Sequence, residues 1–390
     1  MRIVHVCLAA FYIDGFGYQE NILPRIHAEA GHDVTIVAST ENYVGNTKLA
    51  HVAASSYRNE DGIEVHRLPY SSWVPGPIRS KVRAYCGLTS RLEALRPDLI
   101  FVHDVQFYDF LKIAAYVRRS GAKVVADCHT DHVNSARGFI SRHILHAIFY
   151  RWIVRRVDWC VSRYWATLPI RSTFLQEMYG LPANKIELLP FGVDDRGLGA
   201  EQRMTLRRQT RAAMGIPENA KVLVTGGKLD LRKNIHLLVD VFSSLRREGR
   251  LENMHLIVFG QPDAEVRERL AGIDIGAEVK FAGWIRAPEI SSMLLAGDLA
   301  IFPGTHSVLW EQAIGLGLPT VFHRWPGMEH LDLDGNALFI DDANRATLEA
   351  LLEKLALDSG PIPGMAAIAG ERGPKHFTYS AIAAKALEIP

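Results

Sequence analysis

Long apolar runs are missing from this 390-residue chain. No stretch approaches the roughly 18 consecutive apolar residues that a membrane-spanning helix needs. Cysteine is scarce: Cys7, Cys86, Cys128 and Cys160 form no CxxC pair, which argues against a zinc ribbon or a redox dithiol. Four thiols in so long a chain read as buried cysteines of a reducing, cytoplasmic setting. A dominant sign of charge is also absent. The 44 Lys/Arg and 43 Asp/Glu leave a net charge of +1, which gives no field to hold nucleic acid. The halves differ only mildly: residues 1–194 carry 22 basic and 18 acidic side chains, and residues 195–390 carry 22 and 25. The opening MRIVHVCLAA has a short apolar core followed by Asp14 and Gly15, so it reads as a buried first strand and not as a signal peptide.

What is present is a repeated alternation of strand and helix. Apolar residues make up 48% and charged residues 22%, the balance of a globular enzyme, and the length calls for two domains. Strand-like runs fall at Ile3–Leu8, Val34–Ala38, Ile63–Leu68, Leu99–His103, Val124–Asp127, Trp159–Ser162 and Ile186–Pro190. Helical patterns between them cover Glu20–Ala30, Ile78–Leu95 and Phe107–Arg119. The second half repeats the scheme with strands at Val222–Thr225, His255–Phe259, Val279–Ala282, Leu299–Phe302 and Thr320–Phe322, and helices at Asn234–Arg247, Pro288–Ala296 and Val308–Gly315. Near-continuous apolar strands alternating with helices imply two α/β, doubly wound parallel sheets. Pro190, Gly192, Gly197 and Gly199 break any helix between Leu188 and Gly199, which places a domain boundary there. No low-complexity linker separates the halves, so the expectation is close packing around a cleft.

The stretch GGKLDLRKN, Gly226 to Asn234, follows a strand and sets Lys228, Arg232 and Lys233 at the entry to a helix. A glycine turn followed by cations at a helix start suits an anion; a solvated basic helix start is the plainer reading. The Walker loop fails here, because Val222 occupies the first glycine position and Leu229 follows Lys228. The dinucleotide fingerprint fails too: in its nearest candidate, Gly15-Phe-Gly17, Glu20 stands at the third glycine position.

Taken in order and spacing, MRIVHV, DGFGYQEN, EAGHDVTIVAS, KIELLPFGVD, GGKLDLRKN, VKFAGWIRAPEISSMLLAGDLAIFPG and EQAIGLGLPTVF resemble the retaining GT-B glycosyltransferases of glycosyltransferase family 4, also called glycosyl transferases group 1. The resemblance runs over nearly the whole chain. It implies a GT-B fold, two Rossmann-like domains facing a central cleft: residues 1–194 with 377–390 on the acceptor side, and residues 195–376 binding the nucleotide-sugar. The final FTYSAIAAKALE would be the terminal helix that crosses back onto the first domain.

The resemblance assigns Lys228 and Lys233 to the diphosphate of the donor, with Arg232 pointing elsewhere. Glu311 matches the second glutamate of the family's Glu-x7-Glu motif and is implied to accept the ribose hydroxyls; an acid complementing a helix start is the alternative. Ser307 and the amides of Val308 and Leu309 suit the diphosphate. The first glutamate is missing, since Pro303 stands eight residues before Glu311; the loop is shorter than the pattern, and Thr305 or His306 is left to cover the sugar contact, although His306 also reads as a surface histidine. His129, at a strand end, matches the active-site histidine and is implied to meet the donor sugar; a core histidine is the alternative. The neighbouring His129, Asp131 and His132 raise a metal reading, but strand geometry points them apart and the resemblance implies no metal and no cofactor beyond the nucleotide-sugar. Gly15 and Gly17 permit close backbone approach, Gly260 ends a strand beside the nucleotide, and Gly327 faces the donor. Glu329 also matches a family glutamate. Trp284 and Ile285, after Gly283, line the base pocket, unless Trp284 is a core residue. Phe191 replaces a usual asparagine and reads as structural.

The expected activity is therefore a metal-independent, retaining hexosyl transfer from a nucleotide-sugar, most simply a UDP-sugar, to a saccharide or lipid-linked saccharide acceptor in surface polysaccharide or glycoconjugate synthesis. No carboxylate pair supports a two-step displacement, which leaves a front-face path. Residues 132–157 hold five arginines, no acids and the aromatics Phe139, Phe149, Tyr150 and Trp152. They read either as a basic amphipathic helix on the inner face of a membrane or as a helix packed on the sheet. A nucleotide-sugar epimerase and a non-catalytic nucleotide-sugar-binding protein remain as rival functions.

Overall fold

A computed structural model describes residues 1–44, 48–358 and 360–389. The chain divides into two compact units, Met1–Pro190 joined by Ala383–Pro390, and Phe191–Ile382.

The first unit is built on an eight-stranded sheet. Its order is Ile186–Leu188, Arg163–Ala166, Lys123–Cys128, Leu99–Val102, Arg2–Cys7, Asp33–Ser39, Glu64–Leu68 and Ser55–Arg58. All neighbours pair in parallel except the last, where Ser55–Arg58 runs antiparallel to Glu64–Leu68. The central strands are buried along almost their whole length, as covering on both faces demands. Val4, Val6, Ile100, Val102, Val124 and Ala126 meet Phe110, Ile113, Ile153 and Val157 in one core. Glu41–Val44 and Lys48–His51 form a small antiparallel hairpin.

Three sequence expectations are corrected here. The helix expected over Ile78–Leu95 is two helices, Gly76–Val82 and Leu88–Leu95. Between them Arg83 and Gly87 take left-handed backbone (φ 53° and 83°), and the Tyr85 amide is fixed by the Asp109 carboxylate at 2.7 Å. Tertiary hydrogen bonding thus overrides a continuous helical pattern. The strand expected at Trp159–Ser162 begins later, at Arg163–Ala166; Asp158–Cys160 is a short 3-10 turn with Trp159 exposed. The cysteines are not uniformly buried: Cys7 and Cys128 are, Cys86 is exposed and Cys160 is half-buried.

The second unit carries a six-stranded, all-parallel sheet in the order Val279–Gly283, Met254–Phe259, Lys221–Gly226, Leu299–Phe302, Thr320–His323 and Ala337–Ile340. Leu238, Val239, Phe242 and Leu245, at helical spacing on Ile235–Arg247, bury against Leu223, Leu256 and Leu299. Among the described residues no helix is long and apolar enough to cross a membrane.

Helices Leu309–Gly315 and Ile362–Phe377 approach until only glycine fits between them. A Cβ on Gly373 would sit 2.0 Å from the Ile314 carbonyl oxygen, and one on Gly315 would sit 2.3 Å from that of Phe377. Gly373→Ala is expected to lower stability by about 1–3 kcal/mol through overpacking. A chemical-denaturation midpoint equal to the wild type would contradict this close packing.

Candidate functional site

The cavity of the second unit is assembled from the loops that follow four adjacent strands. Lys221–Gly226 runs into Gly227 (φ 112°) and Lys228, and Met254–Phe259 runs into Gly260 (φ 120°). The Gly227 amide donates to the Phe259 carbonyl at 3.0 Å. A Cβ on Gly260 would lie 1.9 Å from the Gly227 oxygen, so the turn requires glycine both for φ and for space. Gly283 ends the third strand and delivers Trp284 and Ile285. The fourth, Leu299–Phe302, is followed by Ser307, Val308 and Leu309. Together with Gln261 and Ile290 these residues line a cavity of about 450 Å³. Its wall is predominantly apolar, with Phe259, Trp284, Ile285 and Ile290, and Lys228, Gln261 and Ser307 are its polar members. Trp284 is 69% exposed, which removes the core reading of that residue.

Lys233 lies under the loop beyond the cavity. Its Nζ donates to the carbonyls of Thr305 (2.6 Å) and His306 (2.8 Å), which leaves one of its three N–H groups for a ligand. Burial, only partly offset by Asp230, lowers its pKa to about 8. Arg232 points away and pairs with Asp230 at 2.7 Å. Gly304 is packed on this segment so closely that a Cβ would fall 2.2 Å from the Arg232 oxygen.

Glu311, on helix Leu309–Gly315, is fully buried. His306 Nε2 lies 2.8 Å from one carboxylate oxygen and 3.1 Å from the other; His330 approaches to 3.9 Å. Burial alone would raise the acid's pKa, but His306 and then His330 hold it lowered. Gly327 (φ 81°) and the exposed Glu329 lie outside the cavity lining.

In the first unit the residues after strand Lys123–Cys128 form a second cluster. His129 Nε2 lies 3.1 Å from Asp127 Oδ1 and 3.7 Å from Glu20 Oε1. Burial would lower the His129 pKa; the two carboxylates override it and raise it to about 9. Asp127 is completely buried, and burial would raise its pKa, yet His129 and His103 hold it far below the ordinary range. Gly15 (φ 71°) and Gly17 are exposed, with open space where a Cβ would point. Asp131 and His132 turn elsewhere, to Arg171 at 3.2 Å and to the Phe174 ring. Among the described residues Glu20, His103 and His129 gather three potential metal-binding atoms within 4.8 Å. Both ring nitrogens of His103 are already in hydrogen bonds, to Asp127 and His5, so the group reads as a hydrogen-bonded network.

The structure thus brings Lys228, Gly260, Trp284, Ile285, Ser307, Val308 and Leu309 into one cavity wall, with Lys233, His306 and Glu311 behind the same loop. His129, Gly15 and Gly17 belong to the other unit. Asp127, Glu20, His103, Gly304 and Ile290 escaped the sequence reading. For Glu20 the signal was present but misread: the residue that spoils a nucleotide fingerprint is the one that faces His129.

Residues 25–192 match the Glycosyl transferase 4-like domain, and residues 207–376 match Glycosyl transferases group 1. A mannosylfructose-phosphate synthase from Agrobacterium fabrum is 25% identical over 236 residues, which is 57% of this chain and 51% of that protein. The chain thus spans about half the length of that relative. An alpha-monoglucosyldiacylglycerol synthase from Streptococcus pneumoniae is 22% identical over 343 residues, covering 83% of this chain and 71% of that one. Among solved structures, Anabaena Alr3699/HepE in complex with UDP superposes with a TM-score of 0.68 at 15% identity, over 99% of this chain and 98% of that chain. The two family matches, one in each doubly wound half, and the likeness of fold lead to one conclusion: the chain belongs to the glycosyltransferase family 4, or group 1, glycosyltransferases and has the GT-B fold.

Proposed function

We propose that this chain is a retaining hexosyltransferase that takes a nucleotide-diphosphate sugar, with uridine as the base, and delivers the sugar to a hydroxyl of a saccharide or lipid-linked saccharide. The observation that carries this reading is the cavity of the second unit, apolar at Trp284, Ile285 and Ile290 and lined by backbone and a cation at Gly227 and Lys228. A base stacks on the apolar part, and the diphosphate meets Lys228, the third N–H of Lys233 and the amides at Val308 and Leu309. The structure of Anabaena HepE with UDP supports the choice of base.

In the proposed reaction the bond between the anomeric carbon and the diphosphate oxygen breaks, and the diphosphate leaves with the electron pair. The acceptor hydroxyl attacks from the same face and gives its proton to the departing oxygen. Negative charge grows on the diphosphate during this step, so cations and amides aimed there favour the transition state over the ground state. Each charge-assisted contact contributes about 1.5–3 kcal/mol. His129, held as a cation by Asp127 and Glu20, takes the sugar contact that the family resemblance implies. The chain's own cations do the neutralising, which makes the proposed reaction independent of a metal.

A lipid-linked acceptor is supported by the helix that runs through Ile140–Tyr150, wound as a π-helix, and Arg151–Val157. Its inner face is buried through His146, Tyr150, Ile153 and Val157. Packing on the sheet therefore accounts for one face only. Phe139, Ile140, Ile144, Ile148 and Trp152 remain 44–76% exposed, and Arg142, Arg155 and Arg156 are exposed on the same helix. Apolar side chains beside unopposed cations suit the surface of an anionic bilayer. The relative from Streptococcus pneumoniae is named for a diacylglycerol product.

Calorimetric titration with UDP, GDP, ADP and dTDP tests the donor site. One diphosphate is expected to bind in the micromolar range, and Lys233→Ala to weaken it about tenfold, or ~1.4 kcal/mol; silence with all four would remove the reading. The lowered Lys233 pKa adds a sign. The amine is cationic below about 8 and neutral above, so affinity is expected to fall as pH rises through that value, and Lys233→Ala to lose the step. NMR of the transferred sugar is expected to show retained anomeric configuration; an inverted product refutes the front-face path, and donor conversion without acceptor points to an epimerase. The chain should sediment with anionic vesicles and not with neutral ones, and the double change Ile144→Ser and Ile148→Ser should abolish sedimentation.

A further inference from the structure

Strand Arg2–Cys7 carries one polar side chain into an otherwise apolar, fully buried run: His5, with no exposure. It is the middle member of a continuous hydrogen-bonded chain. His27 Nε2 lies 3.0 Å from the Ala383 carbonyl oxygen, and His27 Nδ1 lies 3.0 Å from His5 Nε2. His5 Nδ1 lies 2.9 Å from His103 Nε2, and His103 Nδ1 lies 2.8 Å from Asp127 Oδ2. Asp127 then meets His129 through its other oxygen. His5, His27 and His103 are all at most 1% exposed, so no bulk water repairs a missing contact.

Counting protons decides the state of this chain. Both of its ends, a carbonyl oxygen and a carboxylate, only accept. Four hydrogen bonds lie between them and need four N–H groups. Three neutral imidazoles supply three. With three protons, one of the four contacts sets two lone pairs against each other at 3.0 Å or less in a buried site, a penalty comparable to an unmade hydrogen bond. One excess proton removes the conflict. Any one of the three rings can carry it and leave all four contacts made; the Asp127 anion beside His103 favours that ring. His27 then donates to Ala383 and accepts from His5, His5 accepts from His103, and His103 donates at both nitrogens. The cation is then next to the Asp127 anion, with its ring tilted at 31° against Phe101 and the ring centroids 4.8 Å apart. Burial lowers the pKa of His5 and of His27, in keeping with neutral rings at both. The titratable and charged groups facing the chain are Glu20 and His129 at one end, Asp104 and Arg171 beside Asp127 and His129, and His32 beside His27.

We propose that His27, His5 and His103 form a proton-loaded chain, doubly protonated at His103, which clamps Asp127 as an anion in fixed orientation and thereby positions His129. These are positioning residues; the coupling to His129 as a sugar contact rests on the proposed transferase function, whereas the proton count does not.

The test is nitrogen NMR of the full chain labelled with ¹⁵N in its histidine rings, at pH 7. Expected in the wild type are two protonated nitrogens at His103 and single Nε2–H tautomers at His5 and His27; a singly protonated His103 overturns the proposal. Two substitutions of one residue sharpen it. In His27→Gln the amide donates to Ala383 and its oxygen accepts from His5, so three contacts still need three protons from two rings and the excess proton stays. In His27→Leu two contacts need only two protons. His103 is then expected to lose one, and His5 to switch from Nε2–H to Nδ1–H. An unchanged tautomer in His27→Leu overturns the proposal, and a merely structural role for these rings does not move it. In sugar transfer, His27→Leu is expected to lower kcat about tenfold, or ~1.4 kcal/mol, with the donor KM unchanged, and His27→Gln to restore it. If the wild type transfers no sugar, the functional reading fails and the spectra alone decide the chain.

Discussion

Parallel pairing sends every strand of a sheet toward the same edge. The order of the strands therefore decides which loops become neighbours there. In the second unit the four strands that end at Gly283, Phe259, Gly226 and Phe302 are adjacent in the sheet. For that reason residues as distant in sequence as Gly227 and Leu309 line one cavity. The contact between Gly260 and the Gly227 oxygen is the tightest expression of this constraint. Two neighbouring strands reach their ends in step, and neither turn has room for a side chain. The first unit obeys the same rule. His103 follows Leu99–Val102, Asp127 and His129 stand at the end of Lys123–Cys128, and those strands are paired.

Each unit also holds a completely buried carboxylate, Asp127 in the first and Glu311 in the second, that is paired with histidine. Asp127 divides its two oxygens between His103 and His129, whereas Glu311 receives one imidazole across both oxygens. An anion so far from water is costly unless paired. In Lys233, by contrast, the ammonium is held by two carbonyl dipoles and partly buried, and that burial lowers its affinity for a proton.

Apolar periodicity located most of the buried strands and several of the helices that cover them, because those elements have no other way to satisfy burial. It passed over the strand Ala337–Ile340 and the helix Arg345–Ala356, despite its buried Leu348, Leu351, Leu352 and Leu355, and it missed elements held by polar contacts. Helix Ala200–Ala213 has almost no apolar stripe; Arg207 and Arg211 dock it on Asp298 and on the carbonyls of Leu295, Ala296 and Gly297. The edge strand Ser55–Arg58 is polar because one of its sides faces solvent. For the site, glycines and lysines in a fixed order were legible through family resemblance. Glu20 and His103 were not, because their contacts with His129 and Asp127 join residues about 20 to 110 positions apart, and no local spacing encodes them; Asp127, only two positions from His129, was read as the end of a strand.

The shortened loop between Pro303 and Val308 carries the strongest consequence for binding. It is pinned on one side by Lys233, which donates to the Thr305 and His306 carbonyls, and on the other by the His306 ring on Glu311. In the proposed function both anchors are also ligand contacts: Lys233 for the diphosphate and Glu311 for the ribose. A nucleotide that recruits them exchanges existing hydrogen bonds for new ones, so the net gain is smaller than the sum of its contacts.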